Sequence, residues 1–413
     1  MKLKIYRRKF HKSIIYFFWA CVVKILKMIM FYKPVNNKSV LVIDFELLGD
    51  SVMVTSIFKN IKQALPKDDF VDVLCYTREM EIFKRCNYVD HIYTIDRPER
   101  YANVCPPVVH CFPKFVFKVL YWKYIFRFIF KNLLNKYNTI IVPRYDVDVE
   151  YTAKISKIIN SNNRFAFSEN CIWYKSLSNC GRDRYFTKVF KYRADCLEVD
   201  KFLWLINQIG YDIINKYPCI EHKKILKYKG IDLTECYVVI AVDTSRYEKE
   251  WGMDNFIKVA LYLNTIGYKV LFLGTRKEYH EYFLQYGKHI KGYSLIGVTS
   301  VEEAIDIIGN CSFYIGCDTG LSHVAGAVGV QGIVIWSNAK YEEPWYPSSV
   351  VRMKPKSKRI KVVQANMPIT PCKTHCICTK AHCIRQITVN EVIEAIEKVL
   401  MDRKIHSSNE GRR

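Results

Sequence analysis

FYIGCDTGLSHVA, Phe313 to Ala325, is an apolar run that ends in Asp-Thr-Gly and passes into small residues that open a helix. If FYIGC is a buried strand, Asp318, Thr319 and Gly320 lie at its carboxyl end and the helix starts near Leu321. Unpaired backbone N–H groups and the positive end of a helix dipole then collect at one point. Gly320 lets a ligand approach the backbone closely. Thr319 and Ser322 offer hydroxyls, and His323 falls in the first turn. The pattern suits a diphosphate. An acid beside phosphate is repulsive, so Asp318 is expected to meet a sugar hydroxyl or to orient the loop. The competing reading is structural: Asp318 or Thr319 caps the helix, and His323 is an ordinary first-turn residue.

The surrounding texture repeats the strand-to-helix alternation. YVVIAVD (237–243), KVLFLGT (269–275) and GIVIWS (332–337) read as strands, with helices expected over 255–266, 278–286, 304–308 and 321–328. Ser300-Val-Glu-Glu and Thr388-Val-Asn-Glu are capping boxes; the second opens an amphipathic helix with Val392, Ile393, Ile396, Val399 and Leu400 on one side. Nearer the amino end, SVLVIDF (39–45), VDVLCY (71–76), HIYTID (91–96) and YNTIIVPRYD (137–146) are strands, and Ser51–Leu65 is a helix. Two βαβ blocks, with a mixed stretch over 150–225, predict an α/β protein of two Rossmann-like domains with parallel sheets facing a cleft. The expected division is a basic, aromatic segment 1–36, a first domain 37–225, a second domain 226–387, and a closing helix and tail 388–413.

Two further loops hold matching positions. In FELLGDSVMVTS, Asp50 follows Gly49 at a helix start after the first strand: an N-cap, or a carboxylate placed as a general base. In VDTSRYEKEW, Thr244 and Ser245 follow a strand and Lys249 precedes Trp251. Such a lysine could neutralise a departing diphosphate without a metal, or stand solvated on a loop.

The 413 residues carry 63 Lys and Arg against 40 Asp and Glu, a formal net charge of +23, which calls for anionic surroundings or an anionic ligand. No finger spacing, RNP pattern or basic zipper is present, so nucleic acid is not the expected partner. Residues 1–34 are basic, then apolar. The run Ile14–Val23 is short of the roughly 20 residues that span a bilayer, so an interfacial helix is expected. In 108–135, Lys118, Lys123, Arg127 and Lys131 recur along an aromatic helix. The reading adopted is a membrane-surface face; the alternative is an internal helix with snorkelling lysines. The 16 Cys are mostly scattered, and without a visible secretory signal they read as reduced thiols. Cys372, Cys376, Cys378 and Cys383, with His375 and His382, could hold a structural zinc, but their spacing fits no standard ribbon.

The GD loop, TSRYEKEW and above all DTGLSHVAGAVG together resemble glycosyltransferase family 9, the heptosyltransferase-like family. The resemblance runs from about Val40 to Leu400 and is weak between 95 and 225. It implies a GT-B fold and an inverting transferase without metal or other cofactor. Such an enzyme moves a sugar, usually heptose from ADP-heptose, to a lipid-linked saccharide such as lipopolysaccharide inner core. It implies Asp50 as general base and Lys249 on the donor phosphates with Thr244 and Ser245. Glu278 would lie near the nucleoside, Asp318 on the donor sugar, and Thr319, Gly320, Leu321 and His323 in the phosphate loop. A cytoplasmic location, peripheral on the inner membrane face, follows from the same resemblance and the basic segments. The chain departs from the family at Ser337–Ala339, where Gly-Pro-Thr is common, at Cys317, and in the aromatic insert. Another nucleotide sugar, or a binding protein without turnover, remains as the alternative.

Overall fold

The computed structural model describes residues 35, 37–97, 114–145, 148, 151–171, 173–192, 196–244, 249–336, 340, 341, 357, 359–364, 371, 372 and 383–410, together with 21, 25 and 28. The chain forms two compact units, Met1–Ala194 with Asp200–Lys216, and Asp195–Val199 with Tyr217–Arg413.

The first unit is built on β1 (Val40–Asp44), β2 (Val71–Tyr76), β3 (Ile92–Ile95), β4 (Thr139–Val142), β5 (Asn163–Phe167) and β6 (Lys188–Phe190). They form one six-stranded sheet in the order β3-β2-β1-β4-β5-β6, parallel throughout. Every residue of β1, β2 and β4 is buried, as expected of parallel strands covered on both faces. β5 and β6 come from the stretch that gave no clear pattern. Asn163, Arg164 and Lys188 interrupt their apolar runs, and Arg164 is held by the Tyr185 and Ser161 carbonyls.

After β1 the chain enters helix α1 (Leu48–Val54), then a 3-10 turn (Thr55–Ile57) and α2 (Phe58–Ala64). The helix therefore begins before Ser51, and the expected turn at Gly49-Asp50 is already helical. Helix α3 (Lys114–Asn132) carries the aromatic insert. Tyr121, Ile125, Ile129 and Leu133, one per turn, are buried against Ile140, Val142 and Tyr137, and Trp122, Tyr124, Phe126 and Phe128 pack partly on the same core. Among the described side chains of α3 these rings are thus internal. Lys123, Arg127 and Lys131 stay exposed, with Val119 and Phe130 beside them.

The second unit repeats the plan with β7 (Tyr237–Ala241), β8 (Lys269–Leu273), β9 (Gly292–Ser294), β10 (Phe313–Cys317), β11 (Gly332–Trp336) and β12 (Ile360–Gln364), ordered β9-β8-β7-β10-β11-β12 and all parallel. Helices α4 (Met253–Thr265), α5 (Lys277–Tyr286), α6 (Val301–Gly309), α7 (Gly320–Ala327) and α8 (Val389–Glu410) cover it. Both capping boxes form: Glu303 N donates to Ser300 Oγ and Ser300 N to Glu303 Oε2, and Thr388 and Glu391 make the same exchange. Ile387, Val392, Ile396 and Val399 join Trp251 and Phe256 in the core, and Trp251 Nε1 donates to the Ile387 carbonyl at 2.7 Å. Among the described residues no helix is long and apolar enough to cross a membrane.

β9 passes so close to β8 that a Cβ on Gly292 would lie 2.0 Å from the Val270 carbonyl oxygen. Gly292→Ala is therefore expected to destabilise the protein by about 1–3 kcal/mol, the usual scale for overpacking. Urea unfolding checks this: the midpoint should fall without a change in m.

Candidate functional site

In the second sheet the strand order reverses between β7 and β10, the position at which doubly wound sheets open a crevice at their carboxyl ends. Two loops meet there. One follows β7 and carries Asp243 and Thr244; the other follows β10 and carries Asp318, Thr319 and Gly320. Helix α7 begins at Gly320, with Thr319 as an extended N-cap whose side chain makes no capping hydrogen bond. Thr319 is therefore not occupied as a cap, and the half-buried amides of 319–321 head the helix.

The interior of this loop is tightly tied. Ser322 Oγ donates to the Cys317 carbonyl at 2.6 Å and lies 2.9 Å from Tyr314 Oη. A Cβ on Gly316 would fall 2.4 Å from that tyrosine hydroxyl, so glycine is what lets the ring lie along the strand and reach Ser322. Ser322 is thus a structural anchor and not a ligand hydroxyl, contrary to the sequence expectation. Burial pushes the Cys317 thiol up to about 12, so it stays protonated and inert.

Lys249 pairs with Asp318, the two side chains being 27% and 10% exposed. His323 is buried, and its Nδ1 has no hydrogen-bond partner among the described residues. Desolvation lowers its pKa to about 4; Asp318 opposes the shift and Lys249 adds to it. The imidazole is therefore neutral at pH 7, and the cation paired with Asp318 is Lys249.

Of the sequence-predicted residues, the structure brings Lys249, Asp318 and His323 together in mutual electrostatic reach, with Thr319, Gly320 and Leu321 in the same turn. Thr244 is buried, and its carbonyl accepts from Arg276 Nη2 at 2.9 Å. Glu278 is exposed in the first turn of α5. Ser245, Cys376, Cys378, His375, His382 and 337–339 lie outside the described residues, as do the side chains of Cys372 and Cys383. Among the described residues no cluster could hold a metal ion.

Sequence reasoning missed the residues that organise the crevice. Asp243 Oδ2 accepts from Thr275 N at 2.6 Å, Thr275 Oγ1 at 2.8 Å and Arg276 N at 3.0 Å, joining the loops after β7 and β8. Arg276 pairs with the buried Glu250, which also accepts from Tyr279 Oη at 2.8 Å. The signal was present: VVIAVD and FYIGCD both place an aspartate where a buried strand ends.

In the first unit, Asp50 is half-buried in the first turn of α1. The N-cap is Leu47, so the capping reading of Asp50 does not hold. Beside it is a group of acids not picked out from the sequence. Asp44 is buried at the end of β1, accepts from Ser51 Oγ at 2.6 Å, and leaves Oδ1 without a partner among the described residues. Glu46 pairs with Arg144, and Glu79 lies 3.4 Å from Arg97, whose guanidinium stands 4.8 Å over the Tyr76 ring. Burial first, then Glu46, Asp50 and Glu79, hold the Asp44 carboxyl well above the usual carboxylate range.

The signs of these two shifts are opposite. His323 accepts its proton more readily unfolded than folded, so its contribution to stability is lost as pH falls from about 6.5 towards about 4. Relative to wild type, His323→Gln should flatten the decline in Tm over that window. Asp44 keeps its proton longer when folded, so it weakens the fold as pH rises above the unfolded value of about 4. Asp44→Asn should raise Tm at pH 7, and the gain should shrink towards pH 4; an equal gain at both values would refute this account of Asp44.

Comparison with known proteins connects these features. Residues 209–382 match the sequence profile described as glycosyltransferase family 9 (heptosyltransferase). Lipooligosaccharide heptosyltransferase 2 of Haemophilus influenzae is 30% identical over 103 residues, which is 23% of this chain and 30% of that protein. The chain thus spans less than a third of the length of the curated relatives it matches. In fold the likeness is wider. A glycosyl transferase family 9 structure from Veillonella parvula has a TM-score of 0.68 at 16% identity, over 90% of this chain and 99% of that one. The E. coli heptosyltransferase WaaC, solved with ADP-2-deoxy-2-fluoro heptose, has a TM-score of 0.64 at 15% identity, over 87% and 99%. Residues 209–382 thus resemble glycosyltransferase family 9, and the chain as a whole shares the fold of these glycosyltransferase structures.

Proposed function

We propose that the protein is an inverting glycosyltransferase that moves a sugar, with ADP-heptose as the leading donor, onto a hydroxyl of a lipid-linked saccharide such as lipopolysaccharide inner core. The observation that carries this is the turn after β10: a helix start without a side-chain cap, Asp318 paired with Lys249 from the segment after β7, and a neutral buried His323 in the first turn of α7. The family match over the same residues supports it, and WaaC, of the same fold, was solved with an ADP-sugar analogue.

In this reading the diphosphate takes the 319–321 amides and the Lys249 ammonium, displacing Lys249 from Asp318. Asp318 is then free to accept from a sugar hydroxyl. Asp50 takes the proton of the acceptor hydroxyl as its oxygen bonds to the anomeric carbon. The bond from that carbon to the diphosphate oxygen breaks on the opposite side, so the configuration inverts. The departing nucleoside diphosphate carries the electron pair, and Lys249 and the helix amides stabilise its charge. His323, being neutral, supplies a hydrogen-bonding nitrogen and no charge. No metal or cofactor is assigned a step. Ser245, Thr244 and Glu278 keep their proposed places on the phosphates and the nucleoside side.

The exposed Lys123, Arg127 and Lys131 with Phe130, and the exposed apolar residues Ile25 and Met28, support a peripheral position on an anionic membrane. The proposed location is the cytoplasmic face of a bacterial inner membrane.

Transfer from a panel of nucleotide sugars, followed by mass of the product and release of ADP, tests the reading. Asp50→Ala should lower kcat by about 10²–10⁴ with ADP affinity kept. Lys249→Ala should weaken ADP binding by about tenfold or more. A wild-type protein that binds ADP-sugars yet gives no product would be a binding protein and would overturn the proposal.

A further inference from the structure

The amino-terminal edge of the first sheet is opposite the strand ends that carry Asp44, and it has a recess of its own. Asn37, Phe70, His91 and Lys136 sit just ahead of or at the starts of β1, β2, β3 and β4, and with Asp72 and Tyr93 they line a space of about 340 Å³. Asp72 is an acid within a fully buried strand, and both of its oxygens are engaged. Its Oδ1 accepts from His91 Nδ1 at 2.9 Å and His91 N at 3.1 Å, and its Oδ2 accepts from Tyr137 Oη at 2.7 Å.

That network decides what the recess can present. A carboxylate only accepts, so Nδ1 of His91 carries a proton there, and Nε2 is the ring nitrogen left over for another hydrogen bond. The His91 side chain is 61% exposed, so Nε2 is available to a ligand. Lys136 Nζ donates to Tyr93 Oη at 3.2 Å and lies 5.4 Å from that ring's centre, which leaves further ammonium donors. Phe70 meets the edges of His91 and Tyr137 at 5.8 and 5.7 Å, so its ring is fixed while staying partly exposed.

Two aromatic surfaces, an imidazole nitrogen and an ammonium donor fixed around a shallow space are a poor match for a metal ion, because the carboxylate oxygens are already engaged. They are a poor match for a phosphate as well, because the lining offers a single lysine together with a carboxylate. We infer that the recess is a second binding site, for a neutral saccharide ring. Tyr93 and Phe70 take an apolar ring face, His91 Nε2 hydrogen-bonds one hydroxyl, and Lys136 donates to another. The inference does not rest on the transferase reading, since binding here needs no nucleotide.

Saturation-transfer difference NMR on the full chain tests it, with D-glucose, D-galactose, D-mannose and N-acetylglucosamine as probes and ³¹P line broadening of inorganic phosphate as the anion control. At least one sugar should receive saturation on its ring C–H protons, and saturating ADP should leave that signal unchanged. Tyr93→Ala should weaken it by about tenfold, the loss of one aromatic stacking partner. Lys136→Gln, which leaves the aromatic packing in place, should weaken it several-fold with an unchanged circular dichroism spectrum. Silence from all four sugars, a signal displaced by ADP, or a signal indifferent to both substitutions overturns the inference. So does phosphate broadening that Lys136→Gln abolishes.

Discussion

Burial on both faces of a parallel sheet is the constraint from which the rest follows. β1, β7 and β10 are enclosed along their whole length, so a polar group has nowhere to stand except at a strand's end. Asp44, Asp243 and Asp318 occupy those ends, and each meets a different environment. Asp44 is dry, and its carboxyl is held well above the usual range. Asp243 is saturated by donors from the next loop and so locks two loops together. Asp318 is largely buried and faces a lysine. One architectural rule thus gives a desolvated acid, a fixed brace and an ion pair.

Much of this was legible in the sequence because the central strands are continuous apolar runs with abrupt polar ends. The β10 turn, both capping boxes and the two-block alternation all rest on local signals. What was illegible has physical causes. β5 and β6 carry Asn163, Arg164 and Lys188, and their stability comes from pairing with β4 and from the bonds around Arg164. Helix α1 starts before Ser51 because Gly49 and Asp50 are held in its first turn, where propensity alone favours a turn. Asp243 and Glu250 were overlooked because their partners, Thr275, Arg276 and Tyr279, come from the loop and helix that follow β8. No spacing rule reports contacts across that distance.

Helix α3 shows how composition misleads when two burials look alike. A basic, aromatic helix reads equally as a lipid face or as one side of a core. The register of Tyr121, Ile125, Ile129 and Leu133 gives the rings to the interior. The cations are left to the solvent edge, so attraction to an anionic surface would be electrostatic there rather than a matter of inserted rings.

The indole of Trp251, held to the Ile387 carbonyl, has a mechanical consequence. Trp251 stands two residues beyond Lys249, so the segment that carries Ile387 and α8 acts as a guy-rope on the loop bearing that cation. Slack in the rope, from trimming or loosening 383–400, would be felt as a wandering ammonium far along the chain from the damage. The closing helix is in this sense part of the tuning of the crevice, although none of its side chains need reach a ligand.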